Sequence, residues 1–206
     1  MTGSFYARRI LPCLIDLGMR GKEATRFRAR VVPQARGTAL EVGVGSGLNL
    51  PFYGARVERL IALDPSEELL RMAKRRARGV AFPLELMARS GEVLPLPDAS
   101  IDTVVFTFTL CTIPDPLAAL REARRVLKVS GELLFAEHGL APEPGVQRWQ
   151  QRLNPFWRRV AGGCNLDRKI DEVIQAAGFG FASLQKEYAR GPRLMSYIYF
   201  GRAQPS

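Results

Sequence analysis

An α/β fold, a parallel sheet covered by helices, is predicted for this chain from three observations. Strand-length apolar runs alternate with segments of helical period, the first run enters a glycine-rich turn, and the second ends in an acid. Strands are expected near 38–43, 59–63, 84–88, 101–108 and 132–137, with helices near 47–53, 65–78 and 116–128. The second helix has the clearest signals: Asp64 as N-cap, Pro65 at the first helical position, Glu67 as the third-position carboxylate and Gly79 at the end. Its terminal Lys74, Arg75, Arg76 and Arg78 suit the negative end of a helix dipole and read as a solvated helix end. From 139 to 166 the chain turns rich in Pro, Gly, Trp and Asn and reads as an insertion. A helix near 167–177, stopped by Gly178, and strands near 179–188 and 195–202 complete seven strands. Residues 1–35 read as two basic helices over one end of the sheet, the first broken or begun at Pro12.

Composition narrows the function classes. The 206 residues suit one domain: an arm or lid over 1–36 and a main domain over 37–206. With 47% hydrophobic and 24% charged residues the chain reads as globular, and no run of 18 apolar residues suggests a membrane span. A cytoplasmic address, with peripheral membrane contact as an addition, is the expectation. Cys13, Cys111 and Cys164 are odd in number and widely spaced, so free thiols are expected; with His138 the single histidine, no metal is expected. The net charge of +10 is uneven, because residues 1–36 carry eight Lys/Arg against two acids, or +6. Such an arm suits anionic lipid headgroups, nucleic acid phosphates or an acidic partner, and equally plain solubility.

The turn after the first strand holds the first chemistry. Glu41 ends the strand and leads into Gly43, Gly45 and Gly47, where missing side chains permit close approach of a nucleoside. A dinucleotide fingerprint wants glycines at 43, 45 and 48, but position 48 is Leu48. Glu41 would repel a pyrophosphate yet suits a cationic amino group, which favours S-adenosylmethionine. Asp64 is placed to accept hydrogen bonds from both ribose hydroxyls, with Pro65 beside it. Ser90, Gly91 and Glu92 follow the third strand and offer polar groups to a purine edge, and Thr107 at the end of the fourth strand completes the expected cofactor set.

Taken in order, Glu41 to Gly47, Asp64, RSGEVLPLPD from Arg89, IDTVVFTFTLCTIPDP from Ile101 and RVLKVSGELLFAEH from Arg125 resemble the motifs of class I S-adenosylmethionine-dependent methyltransferases. With LCTIPDP, AEHG, WQQRLNPFW and GGCNLDR added, the chain is similar to the methyltransferase-like thiol methyltransferases and their bacterial relatives as far as about residue 170. The resemblance implies a Rossmann-like, seven-stranded, mostly parallel sheet with its last strand antiparallel and helices on both faces. It also implies S-adenosylmethionine at the carboxyl ends of the strands, leaving S-adenosylhomocysteine as product. Animal members carry a long hydrophobic anchor at the N-terminus; here Tyr6, Ile10, Leu14 and Leu17 make a short amphipathic stretch.

An activated sulfonium needs mainly in-line alignment of the acceptor and exclusion of water. His138 is the candidate to assist a thiol acceptor, and Cys111, Trp149, Trp157, Cys164 and Asn165 are expected in the pocket of a small apolar acceptor. A phospholipid amine, a quinone carbon and a non-catalytic cofactor-binding protein are the alternatives. Nucleic acid is disfavoured as acceptor, because the stretch after strand four reads FTLC where base methylation requires an Asn/Asp-Pro-Pro-aromatic cluster.

Overall fold

The structure, a computed structural model, describes Tyr6 and residues 10–206. Helices α1 (Leu11–Met19) and α2 (Lys22–Val31) precede strand β1 (Gly37–Val42). Then come β2 (Val57–Leu63), α3 (Glu67–Arg76), β3 (Leu84–Met87), β4 (Ile101–Thr107), α4 (Pro116–Val126) and β5 (Leu127–His138). Helices α5 (Pro144–Val160) and α6 (Ile170–Ala176) and strands β6 (Phe179–Tyr188) and β7 (Tyr197–Pro205) follow. The strands lie in the order β3-β2-β1-β4-β5-β7-β6, and only β7 runs against its neighbours. The chain reverses its direction of travel across the sheet between β1 and β4, where open α/β sheets place their ligands.

Both faces of the sheet are covered, which is why β1 and β4 read as nearly continuous apolar runs. On one face Leu40, Val42 and Phe106 pack with Leu120 and Val126 of α4 and Ile174 of α6. On the other, Ala39, Leu60, Val105 and Leu134 meet Phe27 and Val31 of α2. Phe27 is 1% exposed and its ring centre lies 5.2 Å from that of Phe200, so α2 is part of the core as well as of an arm. Burying such a side chain contributes about 1.5–3 kcal/mol.

Three sequence expectations are corrected. The helix expected at 47–53 is a series of turns closing in a single 3-10 turn, Leu50–Phe52, with Pro51 denying a backbone donor. The N-cap of α3 is Ser66, whose Oγ accepts from Leu69 N–H at 3.3 Å, and the helix starts at Glu67; Asp64 and Pro65 lie before it. The stretch 139–166 is dominated by the 17-residue α5, which runs through Pro155. Of the arm expected over 1–36, residues 1–5 and 7–9 lie outside the described residues.

Candidate functional site

The glycine turn forms one wall of a cavity of about 290 Å³ at the carboxyl ends of β1, β2 and β4. Gly43 has φ +76° and sits so close to Thr109 that a Cβ would lie 2.3 Å from its side chain, so the turn tolerates no larger residue there. The N–H groups of Gly43 and Val44 donate to Leu63 O at 2.8 and 3.0 Å, tying the turn to the tip of β2. Asp64 at that tip accepts from Gly45 N–H at 3.0 Å and Ser66 N–H at 2.8 Å, one on each carboxylate oxygen. Both oxygens retain lone pairs for a ligand diol. Burial raises the Asp64 pKa against these two backbone donors.

Glu41 is 1% exposed. Asn49 Nδ2 donates to its Oε1 and Tyr53 Oη to its Oε2, both at 2.8 Å, and Asn49 Nδ2 also reaches Thr107 Oγ1 at 2.7 Å. Burial pushes the Glu41 carboxyl up to about 7, against the two hydrogen bonds and the attraction of Arg28. Arg28 is 5% exposed, lines the same cavity, donates to Met19 O at 2.7 Å and lies 5.3 Å from the Phe108 ring centre. Asn49 Oδ1 is buried and has no partner among the described residues. The cavity therefore offers a guanidinium to an anion and, close by, a carboxylate and an orphaned carbonyl to a cation. These are the two ends of a zwitterionic amino acid, so the residues fit S-adenosylmethionine.

Of the expected cofactor residues, Glu41, Gly43, Gly45, Asp64, Pro65, Ser90, Gly91 and Thr107 line this cavity. Gly47 does not line it; its φ is +82° and it packs against Ala73 of α3. Glu92 also faces away, accepting from Asp115 N–H at 2.9 Å and from Ser90 Oγ. It holds the loop that presents Ser90 and Gly91. Arg125 fastens the rest of that loop through Leu94 O, Leu96 O and Asp98. Arg28, Asn49, Ile15, Met19 and Phe108 also line or support the cavity, and sequence reasoning missed them. Arg28 is hidden in a run of arm cations; Asn49, eight residues after Glu41, is the one with a usable position.

A second, largely apolar cavity of about 530 Å³ adjoins the first, sharing Ile15, Met19, Phe108 and Thr112 as walls. Phe108, at the junction, is held at φ +54°, a left-handed conformation that costs a bulky residue on the order of 1–3 kcal/mol and clusters at functional sites. His138, Cys111, Cys164 and Trp157 all line this second space. Trp149 does not: it is 55% exposed near the start of α5, two turns before Trp157, beside Arg148 and Arg152. Asn165 is buried behind the wall, donating from Nδ2 to Cys111 O and Gly163 O at 2.9 Å. His138 Nε2 lies 2.9 Å from Cys164 Sγ, while its Nδ1 and the Trp157 Nε1 are buried with no partner among the described residues. The hydrogen bond to Cys111 and burial push the Cys164 thiol well above its ordinary value in the absence of a ligand.

Helix α1 closes over both cavities. Its Asp16, 6% exposed, pairs with Arg20 on its own helix and with Arg76 of α3 at 2.8 Å, and Arg76 in turn reaches Ser46 O in the glycine turn. The other described cations of residues 1–36 also have internal partners, apart from Lys22: Arg26 and Arg30 pair with Glu187, and Arg36 with Glu132. Among the described residues, most cations of the arm thus have partners within the protein.

The family described as Methyltransferase domain matches residues 40–135. Thiol S-methyltransferase TMT1B of Rattus norvegicus is 35% identical over 155 residues, covering 72% of this chain and 62% of that protein. Phosphatidylethanolamine N-methyltransferase of Cereibacter sphaeroides is 36% identical over 119 residues, covering 56% of this chain and 58% of that protein. The chain spans about three fifths of the length of these curated relatives. Among solved structures, a SAM-dependent methyltransferase of Thermotoga maritima superimposes with a TM-score of 0.68 at 21% identity, over 97% of this chain and 100% of that one, a likeness of fold.

Proposed function

We propose that the chain is a class I S-adenosylmethionine-dependent methyltransferase and that it methylates a small apolar thiol held in the second cavity. The observation that carries this reading is the adjoining pair of cavities: one complementary to a zwitterion and a ribose, the other apolar and containing an imidazole. The cofactor, when bound, supplies an electrophilic methyl group on a sulfonium. Arg28 would hold its carboxylate, Glu41 and Asn49 Oδ1 its ammonium group, and Asp64 its ribose hydroxyls, while Ser90 and Gly91 would line the place of its base. Phe108 and Thr112, shared by both cavities, lie where an acceptor would approach the methyl group. His138 takes the thiol proton on Nδ1, its Nε2 turned toward Cys164. Glu137 steadies this edge by accepting from the N–H groups of Thr109 and Leu110 at 2.7 and 3.0 Å.

A panel of alkyl and aryl thiols, a phosphatidylethanolamine and a quinol, each incubated with labelled S-adenosylmethionine, tests the assignment. Thiols are expected to be methylated at least tenfold faster than the others; a preference for the phospholipid amine or the quinol would replace the thiol reading. No product with any acceptor, despite cofactor binding, would favour a non-catalytic cofactor-binding protein.

One observation supports an added membrane contact. Trp149, Leu153, Phe156 and Val160 form an exposed stripe on α5, with exposed Arg148, Arg152 and Arg159 beside it, and Leu14 and Leu17 of α1 are exposed too. None of those three arginines forms an ion pair among the described residues. Such a face suits an anionic lipid surface. Co-sedimentation with anionic vesicles should fall in Phe156→Glu and at high salt; equal sedimentation of that variant would remove the contact from α5.

A further inference from the structure

Cys111, His138 and Cys164 are 27 and 26 residues apart along the chain, yet their ligand atoms lie within 4.8 Å of one another. They come from three segments: the turn after β4, the end of β5 and the loop after α5. The segments are fastened to each other at these residues. Asn165 donates to Cys111 O from both its backbone N–H, at 2.8 Å, and its Nδ2, which holds the neighbouring Cys164 beside Cys111. The Glu137 carboxylate, next to His138, accepts from the backbone of residues 109–111. The donor set is therefore assembled by the fold before any ligand arrives.

We propose that Cys111, His138 and Cys164 bind a single thiophilic divalent cation of the zinc class, with its fourth coordination position open to the acceptor cavity. Two thiolates and one imidazole are donors for a borderline-soft ion, and they are poor ones for magnesium or calcium, which require oxygen. The spacing agrees. Zinc–sulfur bonds of about 2.3 Å at the tetrahedral angle put two sulfurs about 3.8 Å apart. The Cys111 and Cys164 sulfurs are 3.8 Å apart. The His138 Nε2, now 2.9 Å from Cys164 Sγ, has to withdraw by about 0.7 Å to reach the corresponding nitrogen–sulfur edge. Two thiolates cancel the charge of the ion, which suits an apolar surrounding. All three residues line the acceptor cavity, so the remaining position faces that space. Coordination through Nε2 keeps the ring proton on Nδ1, so a loaded site cannot also use His138 as a base. This last consequence rests on the proposed methyl transfer; cation binding does not.

Anaerobic titration of the reduced full chain with Co2+ is the test, since it reads the site without any acceptor. One equivalent is expected to give thiolate-to-cobalt charge-transfer absorption with the visible bands of a tetrahedral site, and Zn2+ should displace it. Cys164→Ser and Cys111→Ser should each lose the charge-transfer absorption, and Cys13→Ser, an exposed cysteine away from the cavity, should retain it. S-adenosylmethionine binding by each variant establishes that it is folded; should Cys111→Ser not fold, Cys164→Ser, in a partly exposed loop, carries the test alone. Absence of a one-equivalent band in the unsubstituted protein, or its survival in folded Cys164→Ser, would overturn the site. If methyl transfer occurs, Zn2+ should slow it in the unsubstituted protein and a chelator should restore it. Failure of that arm with the cobalt band intact would count against His138 as the base and leave the cation site standing.

Discussion

The two adjoining cavities are built by opposite strategies. The cofactor cavity is polar and takes most of its walls from the ends of consecutive strands, so Glu41, Gly43, Asp64 and Gly91 occur in chain order as short motifs. The acceptor cavity is apolar and draws on α1, α2, the turn at 108–112, His138, α5 and the segment 189–198. A charged ligand of fixed structure is met by charged groups at fixed places on a rigid sheet, while an apolar acceptor needs only shape, which many chain segments can supply. Substitutions should therefore separate cleanly into those that affect the cofactor and those that affect the acceptor.

The largest effect is expected from Arg28→Ala. Removing a buried guanidinium that pairs with a ligand carboxylate should weaken S-adenosylmethionine by about 2–5 kcal/mol, with the acceptor KM little changed at saturating cofactor. Calorimetry measures the first and initial rates the second. If affinity is unchanged, Arg28 serves only to pack on Phe108.

Asp64→Ala should follow, at about 1.5–3 kcal/mol of lost cofactor affinity, the range for hydrogen bonds to a charged group. The same titration with adenosine alone sharpens the comparison, because Asp64→Ala should weaken adenosine and Arg28→Ala should not. Equal losses for both ligands in both variants would contradict the division of the cavity into amino-acid and ribose ends.

Glu41 gives a dependence on pH. Its carboxyl is raised from an ordinary 4.5 to about 7 by burial, so in the cofactor-free protein ionisation opposes folding, and that penalty grows as pH rises from about 4.5 to 7. On the proposed assignment bound cofactor should reverse the preference, because its ammonium group would favour the carboxylate. Affinity for S-adenosylmethionine should fall on the order of tenfold between pH 8 and pH 5.5 in the unsubstituted protein, and stay flat in Glu41→Gln. Thermal melting without cofactor should show Glu41→Gln gaining relative stability at pH 8 but not at pH 5. A parallel pH profile in the two proteins would mean that Glu41 does not meet the ammonium group.

The smallest effect belongs to the acceptor side. Trp157→Ala should raise the acceptor KM by roughly tenfold, about 1.4 kcal/mol, and leave cofactor affinity alone. Trp149→Ala, eight residues earlier on the same helix, should change neither. A KM effect from Trp149 would mean that the cavity extends around α5.

How much of the molecule is legible in its sequence follows from the same contrast. The β-strands are found to within five residues at either end because their apolar runs are broken by turn residues; β5 starts five residues earlier than expected and β6 is located to the residue. Helix α5 is missed because Pro155 and the flanking glycines read as breakers, although Trp149, Leu153, Phe156 and Val160 already carry a helical period. Asp64 is located correctly but is not the cap of α3. The hydroxyl two residues later caps that helix, leaving both Asp64 oxygens for the glycine turn, Ser66 N–H and the cavity. Arg28 and Phe108 escape a sequence reading, since nothing in a helix of cations marks the one that turns inward, and no spacing announces a left-handed phenylalanine. Wide spacing along the chain argues against a cluster of Cys111, His138 and Cys164, yet spacing has no bearing on residues brought together by three different elements.

Helix α1 is a wall of both cavities, latched by Asp16 to Arg76 and through it to the glycine turn, and joined to α2 at Gly21. One door thus serves two rooms. Displacing α1 would therefore open both cavities at once, since Ile15 and Met19 line each of them. Asp16 is held below its ordinary pKa, where hydrogen bonds with Ser46, Arg20 and Arg76 outweigh its burial, so the ion pair that fastens α1 to α3 weakens as acid neutralises that carboxylate.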